Sequence, residues 1–266
     1  MRFRVDQSVR FAGADSVVRE IGQRAGRTTY RIDNGPELVP MWVPEDVLVA
    51  HQHPEHPSTQ FHQRTAHLIV VDDFFRHPDE VRAVALAQEY DSDLRFFKGL
   101  RTYERFLWPH LREEFGRLIG RPVTEWLGYP ANGIFQKTSP DDPLVWHHDD
   151  QQFAGAVYLT PDAPPTTGTS FWRDRTTGCR RGPMHPLETE RLGSAAAVEA
   201  AKAVVYDPYN LEHPDNWELV ESVAGLYNRL VIWDAKLIHS ATSYADFADD
   251  RLAASRLVQL FFFDAD

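Results

Sequence analysis

The chain has 266 residues, 42% of them hydrophobic and 25% charged, which suits a packed globular protein and excludes a disordered or fibrous one. A formal charge of −11 at pH 7 opposes attraction to nucleic acid or to an anionic membrane surface, so small molecules are the expected ligands. The single cysteine, Cys179, cannot close an internal disulfide, the start Met1-Arg2-Phe3-Arg4 lacks a signal-peptide apolar run, and no apolar stretch nears the roughly 20 residues that span a bilayer; a soluble, cytoplasmic protein is expected.

Residues 1–65 mix Arg, Gly and Asp with short alternating runs such as Thr28-Thr29-Tyr30-Arg31-Ile32 and carry the turn signal Asn34-Gly35-Pro36. They predict a β-rich amino-terminal extension. His77-Pro78-Asp79-Glu80 then opens a helix, because proline suits the first helical position and acids suit the first turn; Val81, Val84, Ala85 and Leu86 follow at helical spacing, to about Tyr90. A second helix is predicted from near Pro109 through Leu111, Phe115, Leu118 and Ile119, ending before Gly120 and Pro122. From residue 123 the pattern changes to short β runs at 133–137, 154–160, 169–172, 217–223, 230–233 and 256–263, interrupted by an Ala-rich stretch, 187–205, that reads as one helix after Pro186. This predicts a mainly β sandwich or jelly roll with flanking α-helices, in a single domain over 1–266, whose core is 66–266 with an insert near 173–216. No βαβ alternation supports a dinucleotide fold.

The segment Leu144-Val145-Trp146-His147-His148-Asp149-Asp150 precedes the strand beginning at Ala154. A His and an Asp two positions apart project to the same side of an extended chain and can reach one metal ion. Both His147 with Asp149 and His148 with Asp150 have this spacing. His239, shortly after the apolar run Leu230-Val231-Ile232-Trp233, is the best third ligand. Two histidines and a carboxylate on one face of Fe(II) leave three positions open, enough for a bidentate 2-oxo acid and oxygen. The far carboxylate of such an acid needs a cation, and Arg256 stands at the start of the last strand.

Together, Trp146-His147-x-Asp149, the distal His239 and the later Arg256 resemble the His-x-Asp, distal His and Arg of the Fe(II)/2-oxoglutarate-dependent dioxygenase superfamily. The likeness covers about residues 66–266 and is nearest to the bacterial prolyl-hydroxylase-like branch, including the Gly168-Thr169-Ser170-Phe171 turn and strand. It implies a double-stranded β-helix (jelly roll), iron as metal, 2-oxoglutarate as co-substrate converted to succinate, and hydroxylation, desaturation or cyclisation of a small, for instance amino-acid-like, substrate. It also implies the register His147 and Asp149, since the family places its ligand His at the end of an apolar run, here Leu144-Val145-Trp146. Asp149 supplies the carboxylate that halogenases of the superfamily lack. One departure is Val258, where the family often has Ser or Thr two positions after its Arg.

Gln136 and Tyr158 are candidates for lining the co-substrate pocket, with sheet packing the alternative for each. Arg251 is a reserve anchor. His51-x-His53-x-x-His56 looks like a metal cluster, but Pro54 and Pro57 make it a loop and a solvated role is expected. Cys179 beside Arg180 and Arg181 has no partnering His in view and reads as an incidental thiol. Two rival functions stay open: a zinc hydrolase on the same three ligands, and a non-catalytic jelly-roll binding module. Substrate contacts are expected from the amino-terminal region and from the insert at 173–216.

Overall fold

The computed structural model describes residues 3, 5, 8–11, 14–24, 27–33, 41–45, 49–50, 60–64, 67–91, 99–244 and 255–266. The turn at Asn34-Gly35-Pro36, the His51, His53 and His56 cluster and Arg251 lie outside them. No helix among the described residues is long and apolar enough to cross a membrane.

The protein is mainly β, and every strand pairing among the described residues is antiparallel. Strands β1 (Ser8–Phe11), β2 (Ala14–Arg24), β3 (Arg27–Asp33), β4 (Met41–Pro44) and β5 (Val49–Ala50) form an amino-terminal sheet in the order β4-β3-β2-β1-β5. The next strands are β6 (Gln60–Arg64), β7 (Leu68–Asp72), β8 (Tyr90–Asp91), β9 (Leu100–Thr102), β10 (Val123–Glu125), β11 (Phe135–Thr138) and β12 (Phe153–Tyr158). After them come β13 (Thr169–Asp174), β14 (Trp217–Val223), β15 (Leu230–Asp234), β16 (His239–Ala241) and β17 (Arg256–Ala265). A large sheet runs β6-β7-β15-β12-β17-β11-β9-β8, with β10 also on β17, and a small one runs β14-β13-β16.

Alternation along the central strands separates two cores. Leu257, Phe261 and Phe263 of β17 join a cluster with Phe115, Leu118 and Val84, whereas Val258 and Leu260 join one with Phe171, Val223 and Leu237 from the small sheet and its approach. The first cluster is covered by α1 (Pro78–Leu86) and α2 (Leu111–Ile119). Phe115 of α2 lies 4.8 Å from Phe261 and 5.3 Å from Phe263, ring to ring, and burying such a side chain contributes about 1.5–3 kcal/mol. Pro78 opens α1 as predicted, and Gly120, at φ 77°, closes α2 in the left-handed conformation that an L side chain resists.

The Ala-rich stretch is two helices rather than the single one expected. α3 (Pro186–Leu192) stops at Gly193, left-handed at φ 76°, and α4 (Ala195–Val205) starts afresh with Ser194 Oγ accepting from the Ala197 N–H. Ala201 and Val205 of α4 pack with Trp146, Trp217 and Ile238, behind the small sheet.

Candidate metal centre

Residues 145 to 149 run extended, so their side chains alternate. Val145, His147 and Asp149 line a cavity between the sheets. Trp146 turns away, 5.7 Å from Trp172 and 6.4 Å from Trp217, ring to ring. His148 turns away too, with Nε2 3.1 Å from the Tyr206 hydroxyl. The same alternation places Ile238 in the outer cluster and His239 on the cavity.

His147 and His239 exchange backbone hydrogen bonds, which makes the ligand segment an added rung of the small sheet beside β16. The chain changes sheets between β15 and β16, so His239 sits on the small sheet, facing the large one. Each imidazole is oriented by its own chain: Nδ1 of His147 is 3.0 Å from the Val145 carbonyl and Nδ1 of His239 is 2.8 Å from that of Leu237. This leaves both Nε2 atoms for a metal, the arrangement in which a carbonyl fixes tautomer and ring direction.

Asp149 completes the group. Its Oδ2 lies 3.4 Å from His239 Nε2 and its Oδ1 3.8 Å from His147 Nε2, and the three donor atoms fall within 4.8 Å of one another. Burial opposes the charge of Asp149, but His239 and His147 outweigh it and hold the carboxyl at about 2. Burial, with His239 alongside, lowers His147 to about 4. An anionic carboxylate and a neutral imidazole are the protonation states a metal requires. Asp149 Oδ2 is buried and has no hydrogen-bond partner among the described residues, a cost that a bound cation would remove. These three side chains can hold one metal ion.

From the large sheet, Arg256 reaches the same cavity, which has a volume of about 300 Å³. Its guanidinium is buried and donates to the main-chain carbonyls of Thr167 (2.9 Å) and Gly168 (3.4 Å). Gln136 lines the cavity. Tyr158 is not among the residues that line it; its ring is 5.4 Å from the Arg256 guanidinium carbon and its hydroxyl 2.7 Å from Thr169 Oγ1. Thr169 and Tyr244 also line the cavity, the Tyr244 ring 5.9 Å from the Arg256 guanidinium carbon.

Residues 136–263 match a family of unknown function (DUF6445). That is just under half of the chain. No curated protein matches it. Among solved structures, HygX from Streptomyces hygroscopicus, with nickel, 2-oxoglutarate and hygromycin B bound, is similar at 15% identity and a TM-score of 0.44, over 74% of this chain and 82% of that one. TqaL, an Fe(II)/(alpha)ketoglutarate-dependent dioxygenase, is similar at 13% identity and a TM-score of 0.36, over 75% of this chain and 83% of that one. OrfP, a non-heme iron oxygenase in complex with Fe, is similar at 13% identity and a TM-score of 0.34, over 71% and 78%. Likeness at this level assigns neither reaction nor substrate, and the functional reading rests on the cavity itself.

Arg101, Trp233 and Tyr244 line that cavity although nothing in the sequence marked them. Among the described residues, none from the amino-terminal region or from 173–216 lines it, contrary to expectation; α3 and α4 back the small sheet instead. Cys179 is fully buried, and burial pushes its thiol up, so it is an unreactive core residue.

Proposed function

We propose that the protein is an Fe(II)- and 2-oxoglutarate-dependent oxygenase, of the jelly-roll type that its two facing antiparallel sheets suggest. His147, Asp149 and His239 are the metal ligands in this reading, and Arg256 anchors the far carboxylate of 2-oxoglutarate. The observation that carries it is the buried Arg256 guanidinium facing the same cavity as His147, Asp149 and His239, where among the described residues it donates to the main-chain carbonyls of Thr167 and Gly168 and to no carboxylate. A buried cation of this kind calls for an anion. A zinc hydrolase on the same ligands leaves Arg256 without a task.

Iron supplies the oxidising chemistry once bound with co-substrate and oxygen: 2-oxoglutarate is converted to succinate and carbon dioxide while the substrate is oxidised. The chain's own residues do the positioning. Val145 and Leu237 carbonyls aim the imidazoles, Arg256 fixes the co-substrate's far end, and Gln136, Thr169 and Tyr244 are placed to complete its hydrogen bonds. Apolar Trp233, Leu260 and Phe262 limit water at the reacting face.

Anaerobic calorimetric titration with Fe(II) and then 2-oxoglutarate tests this directly, followed by succinate release on admitting oxygen. The expected result is 2-oxoglutarate binding only when the metal is present, and oxygen-dependent succinate. Activity without oxygen or 2-oxoglutarate, or full turnover by His239→Ala, overturns the reading.

A further inference from the structure

The backbone of each proposed ligand is held on both sides of its α-carbon, but not by the same means. For His147 and His239 the hold is mutual and made by main chain alone, each N–H donating to the other's carbonyl. For Asp149 the N–H donates to the Ala235 carbonyl at 2.8 Å, whereas among the described residues its own carbonyl accepts from side chains. The Lys236 ammonium donates to it at 3.2 Å and donates also to the Asp150 carbonyl. His148 Nδ1 lies 3.4 Å from the same Asp149 carbonyl, the weaker contact at that length.

A residue has two soft backbone dihedrals. Ala235 holds the peptide before the Asp149 α-carbon and Lys236 the peptide after it, so together they set both dihedrals and the direction in which the carboxylate leaves the chain.

The turn 234–237 that carries both holders is itself braced. The Leu237 N–H donates to the Asp234 carbonyl at 3.0 Å, the Lys236 N–H to Asp234 Oδ1 at 3.0 Å, and the Ala235 N–H to the Gln152 carbonyl at 3.0 Å. Asp234 Oδ2 takes two bonds from the buried Arg181, from Nε at 3.1 Å and from Nη2 at 3.0 Å. Arg181 comes from the 173–216 insert, whose Arg180 carbonyl accepts from the Ile238 N–H at 2.8 Å. The Leu237 carbonyl of the same turn orients the His239 ring. One turn therefore places Asp149 relative to His239, and the Lys236 side chain is its removable part.

We infer that Lys236 is a positioning residue of the metal centre: its ammonium locks the Asp149 peptide so that the carboxylate faces the two imidazoles before a metal arrives. The inference rests on the ligands assigned above and not on the co-substrate. Holding a ligand in place beforehand removes an ordering cost from binding, and groups that orient a ligand are typically worth roughly 10- to 100-fold in metal affinity.

The test titrates Co(II), a redox-stable stand-in for Fe(II) whose visible bands report coordination geometry, into the full chain. Lys236→Met is expected to bind Co(II) at least roughly 10-fold more weakly and with an altered visible spectrum, while Lys236→Arg, which still carries charged donors, recovers most of the affinity and the original bands. Lys202→Met removes the same charge from α4, where Lys202 pairs with Glu199, and is expected to change neither. Affinity and spectrum untouched in Lys236→Met overturn the inference. So does an equal loss in Lys202→Met, which would make the effect one of net charge, or a loss in Lys236→Met with the spectrum unchanged and no recovery in Lys236→Arg, which would make the role merely structural. Amide hydrogen exchange on the unmodified, metal-free protein needs no variant to fold: the Asp149 and Ala235 N–H groups are expected to be protected already, and protection that appears only on adding Co(II) overturns the inference too. Failure of the unmodified protein to bind Co(II) at all is a separate result that sinks the metal-centre assignment.

Discussion

His147 and His239 hold each other in register: the N–H of His147 donates to the His239 carbonyl at 3.1 Å, and the N–H of His239 donates back at 2.7 Å. The spacing of the two residues is thus set by main chain and survives truncation of either ring. His147→Ala and His239→Ala are expected to fold and to lose more than about 100-fold in Fe(II) affinity, beyond the effect of removing a residue that only orients a ligand. His148→Ala, which removes a ring directed at Tyr206, is expected to keep both Fe(II) affinity and succinate formation. Calorimetry on the three variants decides the register; metal loss confined to His148→Ala would move the centre to the other face.

Arg256→Gln is expected to bind Fe(II) normally and 2-oxoglutarate roughly 10- to 100-fold more weakly, the range of a charged hydrogen-bonded contact. Because the buried guanidinium meets only neutral partners among the described residues, two main-chain carbonyls and the Tyr158 and Tyr244 rings, Arg256→Met is expected to raise the Tm of the ligand-free protein. A fall in Tm would show that the charge is already compensated.

Asn228 ties the start of β15 to the segment after β7. At φ 62°, its Oδ1 accepts from the Phe75 N–H at 2.8 Å and its Nδ2 donates to the Phe75 carbonyl at 2.8 Å. Asn228→Ala loses two buried hydrogen bonds and places a less tolerant residue in the left-handed region, at a cost of about 2–4 kcal/mol. Asn228→Gly loses the same bonds without the backbone strain and is expected to be less destabilised by about 1 kcal/mol. Urea denaturation of the pair separates the two contributions.

Lys137 is buried with its ammonium 3.9 Å from the centre of the Tyr90 ring, and burial, aided by Arg82, lowers its pKa from 10.5 to about 8. Between those values the unfolded chain holds a proton that the folded chain has released, so this group makes stability rise with pH there, by up to about 1.4 kcal/mol per unit. The gap in stability between the unmodified protein and Lys137→Met is expected to shift in the unmodified protein's favour from pH 8 to 10. A gap independent of pH would show that Lys137 stays protonated.

Six of the eight strands described in residues 123–266 were legible because each alternates or runs apolar between Pro, Gly and Asp punctuation, and 217–223 was predicted to the residue, whereas the three-residue strands β10 and β16 are too short to carry a pattern. The break between α3 and α4 was legible in principle: Gly193-Ser194 is a helix-ending glycine followed by a helix-starting serine, overridden by the strong Ala-rich propensity around it. Arg101 was not legible. An arginine in a three-residue strand has no periodicity to announce its direction, and only its pairing with Gln136 turns it inward. Trp233 read as a core residue, and its place beside His239, 5.1 Å from ring to ring, depends on the facing of two sheets that no local pattern specifies.

β9 is the last strand but one at its edge of the large sheet, bonded to β8 and β11, while His239 belongs to the small sheet and His147 pairs with it there. The cavity's lining is thereby divided between two sheets, and exchange of residues on β9 leaves untouched the backbone pairing that spaces the two histidines, so its two walls can change independently.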